Sequence, residues 1–100
     1  MIIVTGGVLA KPETQAELHA ISLAHVHRSR AEPGCISHHV HTSVEQPLRL
    51  FFFERWESME ALQTHFAVPA SREFGRQLVA LAAEPPFLHI YQAEQVTPAR

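Results

Sequence analysis

The run Phe52-Phe53-Glu54-Arg55-Trp56, followed in the next element by His65, holds the residues best able to do chemistry. In an extended chain Glu54 and Trp56 share a face with Leu50 and Phe52. A carboxylate among apolar and aromatic neighbours loses solvation of its charged form, which raises its pKa toward the acid–base range. His65 falls at the edge of a helical stripe formed by Met59, Leu62 and Phe66, on the side that faces Trp56. The same residues also read as a core Trp, a Glu paired with Arg55 or Arg72, and a surface His. Spacing supports both readings equally.

The chain carries eight His. In His38-His39-Val40-His41, a strand projects His39 and His41 from one face, about 6.5–7 Å apart, and turns His38 away. Two such imidazoles hold zinc or copper only with further ligands, two for a closed site and at least one for an open one. No His-x-x-x-His falls on an expected helix and no HExxH occurs, so no metal is expected. His39 and His41 read as half-exposed strand residues. His25 lies with Leu18 and Ile21 on an apolar helix face, which suits a core His satisfied by one hydrogen bond and also a pocket wall. His89 and Tyr91 share a strand face and the same two readings.

Composition narrows the field. Ten Glu stand against seven Arg and one Lys, for a formal charge of −2. Asp and Asn are absent, which excludes an EF-hand loop, an N-glycosylation acceptor and a triad oriented by either residue. Interspersed charge without a basic stripe argues against nucleic acid as a partner. No apolar run in the chain is long enough to span a bilayer. Met1-Ile2-Ile3-Val4 lacks the basic start and cleavage site of a signal peptide. One cysteine, Cys35, allows no internal disulfide. The expectation is a cytoplasmic, globular chain forming a single domain over residues 1–100.

The elements that must position these residues follow from periodicity and breakers. Met1–Ala10 reads as a strand whose Gly6-Gly7 pair marks a bulge or a close backbone approach. Glu13 to about Ala31 is helical and is stopped by Glu32-Pro33-Gly34. Cys35–Val44 is a strand with Ile36, His38 and Val40 on one face; a turn at Glu45-Gln46-Pro47 leads to a second strand, Leu48–Glu57. The latter is apolar on both faces, and one layer of helices covers only one, so the other face is expected to meet a second subunit. Ser58 caps a helix over Met59–Ala67. Val68-Pro69 ends it, a further helix runs about Ala70–Ala83, and Phe87–Val96 is the last strand. The order β-α-β-β-α-(α)-β is an α+β, ferredoxin-like split βαβ arrangement with an antiparallel sheet.

Pro33-Gly34-Cys35-Ile36, the hairpin, Phe52 to Ser58, Met59-Glu60-Ala61-Leu62 and His65 together resemble the antibiotic biosynthesis monooxygenase family, of the dimeric α+β barrel superfamily. The resemblance spans essentially the whole chain, and its most specific part is E-x-W-x-S-x-x-A-L-x-x-H. It implies a homodimer joined through the sheet faces. It also implies oxygenation of an electron-rich quinol-like or polyketide-type aromatic by O2, with no metal, flavin or other cofactor. In that scheme a base deprotonates the phenol, the anion gives an electron to O2, and a peroxide collapses to a quinone. The resemblance gives Trp56 and His65 as pocket and proton-handling residues and Glu54 as the strand carboxylate. His25, His38, Phe52, Phe66 and Tyr91 complete the expected pocket. Relatives often use an Asn beside the Trp, and this chain has none, which makes haem degradation a poor fit. Two other classes remain: a non-catalytic small-ligand-binding dimer of the same fold, and a haem or metal binder.

Overall fold

The computed structural model describes residues 1–99. Its elements are β1 (Ile2–Leu9), α1 (Gln15–Ser29), β2 (Cys35–Thr42), β3 (Arg49–Trp56), α2 (Met59–Ala67), α3 (Pro69–Leu81) and β4 (Phe87–Gln92). The strands form one sheet in the order β2-β3-β1-β4, with every neighbouring pair antiparallel. This is the α+β ferredoxin-like arrangement expected from the element order.

Alternation decides which face is buried. Ile2, Val4 and Val8 of β1 and Leu50, Phe52, Glu54 and Trp56 of β3 lie beneath the helices. Val8, Leu18, Val26, Leu50, Phe52 and Phe74 form one apolar cluster, and Ile2, Val4, Trp56 and Leu62 form another. Glu54 lies along β3 between Phe52 of the first cluster and Trp56 of the second. The seam between the clusters is therefore where buried polar groups gather.

Local chemistry fixes the helices around that seam. Thr14 Oγ1 donates to the Leu81 carbonyl at 2.8 Å, tying the start of α1 to the end of α3. Ser58 Oγ accepts from the Ala61 N–H at 3.2 Å and caps α2, as its residue type predicts. Pro69 occupies the first turn of α3, where its missing N–H costs nothing. Gly34 adopts φ +82°, and a Cβ there would come within 2.5 Å of the Ala61 Cβ. Only Gly combines that turn with so close an approach to α2. The Gly6-Gly7 pair marks the expected close approach: the Phe87 ring packs where a Gly7 side chain would stand.

Two expectations need correction. A bulge between Cys35 and Ser37 sets two residues against one, so Cys35 faces the core and Ile36 turns outward to 44% exposure. His38 and Val40, past the bulge, keep the helix-side face. The last strand ends at Gln92 rather than Val96, because β1 runs out of partners at Ile2. β4 is exposed along its whole length.

Candidate functional site

A cavity of about 170 Å³ opens between the sheet and the helices. Gly6, Gly7, Phe52 and Glu54 form its floor, His25, His65, Phe66, Phe74 and Leu78 its helical wall, and Phe87 and Leu88 its β4 end. Most of the wall is apolar. The polar groups concentrate where α1, β2, β3 and α2 meet.

Glu54 is 6% exposed and anchored on both sides. The Trp56 indole Nε1–H donates to its Oε1 at 2.8 Å. His38 Nε2 lies 3.2 Å from the same oxygen, near enough for an ion pair but poorly aligned for a hydrogen bond. The expected rise in its pKa does not occur. Burial pushes Glu54 up, but contact with His38, the Trp56 N–H and the nearby His65 together hold it below the ordinary carboxylate value. Glu54 is therefore an ionised acceptor at neutral pH. Neither Arg55 nor Arg72 pairs with it: Arg55 donates to Ser37 Oγ and Arg72 to the Ala67 carbonyl.

His65 is 3% exposed and sits 2.7 Å, through Nδ1, from Glu32 Oε1. A carboxylate accepts only, so Nδ1 carries the proton and Nε2 is left as the basic nitrogen. The Trp56 ring packs against His65 with centroids 4.7 Å apart and the planes tilted by 38°. His25 stacks on Phe74 at 4.0 Å and accepts from Arg28 Nη2 at 3.0 Å through Nδ1. Burial, reinforced by His38, His65 and Arg28, lowers its pKa to about 2, so it stays neutral.

Of the residues expected from sequence, Glu54, His65, His25, Phe52 and Phe66 line the cavity. Trp56 and His38 are fully buried behind that wall and touch Glu54 rather than the open space. Tyr91 is not brought in. It pairs with Ile3, projects from the face away from the helices, and is 51% exposed. His89 shares that face through its pairing with Thr5, and His39 and His41 leave β2 on the same side.

The antibiotic biosynthesis monooxygenase family model matches residues 1–77. The chain belongs to that family. It is 35% identical over 91 residues to an uncharacterized protein of Synechocystis sp., covering 91% of this chain. The chain spans 62% of that relative's length. Among solved structures, a Deinococcus radiodurans protein provisionally assigned as an antibiotic biosynthesis monooxygenase superposes with a TM-score of 0.92 at 25% identity, over 100% of this chain and 99% of its own. Rv0793 from Mycobacterium tuberculosis gives 0.88 at 25% identity, over 97% and 98%.

Two site residues of this family member escape sequence reasoning. Glu32 precedes Pro33-Gly34 and reads only as part of a helix stop. The turn at Gly34 is what brings it against α2, where His65 waits. Ser71 follows the Pro69 helix start, and its buried Oγ lines the cavity with no hydrogen-bond partner. A Ser in a first helical turn carries no sequence signal for such a place.

Proposed function

We propose that the chain is a cofactor-independent monooxygenase acting on a small phenol or hydroquinone with a free ring C–H. The observation that carries this reading is the largely apolar cavity lined by a carboxylate-oriented imidazole and an ionised carboxylate. An apolar cavity of roughly 150 Å³ holds a benzene ring, so about 170 Å³ suits one aromatic ring better than a fused polyketide.

In this reading His65 Nε2 takes the phenolic proton, and Glu32 stabilises the resulting imidazolium. Glu54 and Ser71 Oγ hold a second hydroxyl. The phenolate gives one electron to O2, and the two radicals join at the ring carbon that bears hydrogen. His65 returns its proton to the peroxide, then removes the C–H proton as the O–O bond breaks. A carbonyl forms, hydroxide leaves, and His65 protonates it to water. Phenol and O2 thus become quinone and water, with one oxygen atom in each. Apolar walls keep bulk water from the intermediates.

A homodimer belongs to the same reading. Ile3, Phe51, Phe53 and Tyr91 share the uncovered sheet face, and Phe51 and Tyr91 are exposed. A second copy seated there would cover it, and a clean monomer by light scattering at micromolar concentration would remove this part. No helix among the described residues is long and apolar enough to cross a membrane, and a cytoplasmic location goes with the reading.

The experiment is incubation with a panel of hydroquinones under O2. Quinone should form, and His65→Ala should lower the rate by about 10²–10⁴, the usual contribution of a positioned proton carrier. Tight binding of an aromatic without turnover would favour the ligand-binding dimer instead.

A further inference from the structure

His25 from α1, His38 from β2 and His65 from α2 converge although no spacing in the sequence links them. One ring nitrogen from each lies within 4.8 Å of the other two. The rings are 5.2 to 5.7 Å apart between centroids. All three are buried, at 5%, 0% and 3% exposure.

Buried imidazoles are ordinarily satisfied by hydrogen bonds. Here His38 has no aligned partner at either nitrogen. His25 and His65 each commit Nδ1 to a neighbour, Arg28 and Glu32, so only the second nitrogen of each ring is uncommitted. An imidazole that gives one N–H to a carboxylate and offers the other nitrogen inward is the usual arrangement of a metal-ligating His. Two carboxylates, Glu32 and Glu54, flank the trio, matching the charge that a divalent ion would bring into a buried space.

We propose that His25, His38 and His65 bind one divalent transition-metal ion of the zinc type, through one imidazole nitrogen each. Three neutral nitrogens without thiolate or an oxygen cage suit Zn2+, Co2+ or Cu2+ rather than Mg2+ or Ca2+. Around a tetrahedral ion with bonds of about 2.0–2.1 Å, such nitrogens stand roughly 3.3 Å apart. Ring rotation must therefore draw the widest pair together. Because His25 and His65 line the cavity, the fourth position faces it. Arg28 opposes loading: its N–H at His25 Nδ1 places the neutral ring's proton on Nε2, so binding requires Arg28 to swing away. The ion takes the His65 nitrogen that the proposed chemistry uses, so the loaded form is silent in turnover. Binding itself is read without substrate.

The test is titration of the metal-free, full-length protein with Co2+, followed by visible spectroscopy, and equilibrium dialysis against Zn2+. The site predicts one ion per chain and the ligand-field bands of a distorted tetrahedral Co2+. Native fold of each variant is checked by circular dichroism. Glu32→Gln should weaken Zn2+ binding ten- to hundredfold, as loss of an outer partner does. His38→Gln should abolish it, Arg28→Gln should tighten it, and the pair His39→Ala/His41→Ala should leave it unchanged. Should His38→Gln fail to fold, metal-induced shifts of the buried imidazole signals in wild-type NMR spectra replace it. Octahedral Co2+ spectra, no ion at saturating Zn2+, binding lost with His39 and His41, or weaker binding in Arg28→Gln would each overturn the assignment.

Discussion

Two groups of histidines lie on opposite sides of β2, and they differ in almost everything but residue type. His39 and His41 stand on the outer face with rings 6.2 Å apart; His39 meets the exposed Arg30 guanidinium, and both are open to water. His38 points inward to meet His25, His65 and Glu54 beneath the helices. The ring separations are similar. Burial separates a candidate site from a solvated pair, because an imidazole packed away from water is held in one orientation.

The contrast predicts unequal sensitivity. Trp56 closes the inner group by donating to Glu54 and covering His65. Trp56→Ala should cost about 3–5 kcal/mol in denaturant unfolding, from the lost core ring and the unpaired Glu54. A cost under about 1 kcal/mol would mean that the inner group is not held as described.

The pH dependence of stability probes the inner group next. Folded His25 stays neutral down to about 2, whereas the unfolded residue takes up a proton below about 6.5. The unfolded state then binds more protons, so stability falls as pH drops through 6.5. The loss is at most about 1.4 kcal/mol per pH unit and continues toward pH 2. Glu54 adds a loss only below its unfolded value of 4.5, because its folded pKa is lowered. Between pH 6.5 and 4.5, urea midpoints of His25→Phe, measured with EDTA present, should decline less steeply than those of wild type. Parallel curves would show that His25 is not buried neutral.

The outer group sets the baseline. In the single protomer, His39→Ala and His41→Ala should each change stability by less than about 0.5 kcal/mol, the usual range for surface substitutions. A larger effect that depends on protein concentration would place these residues in a subunit interface.

The element order was legible because alternation, helical stripes and the Pro and Gly breakers agree with one another, and Ser58 announced its own cap. The bulge was not, since setting two residues against one depends on the partner strand's register. The faces of Glu54 and His65 allowed the cavity that both line as readily as a paired Glu and a surface His. The direction of the Glu54 pKa was not legible: the sequence displays its apolar neighbours along β3 but not His38, its cross-strand partner. Alternation alone does not say which face Tyr91 takes; its pairing with Ile3 does. Glu32 was hidden for the same reason. Its partner lies 33 residues away, and the Gly34 turn that joins them shows in sequence only as a stop.

The most direct measurement is mass spectrometry of the product formed from a single-ring hydroquinone under 18O2. A quinone carrying one atom of heavy oxygen should form, at a rate that collapses in His65→Ala. A quinone free of label, or labelled product at an undiminished rate in His65→Ala, would contradict it.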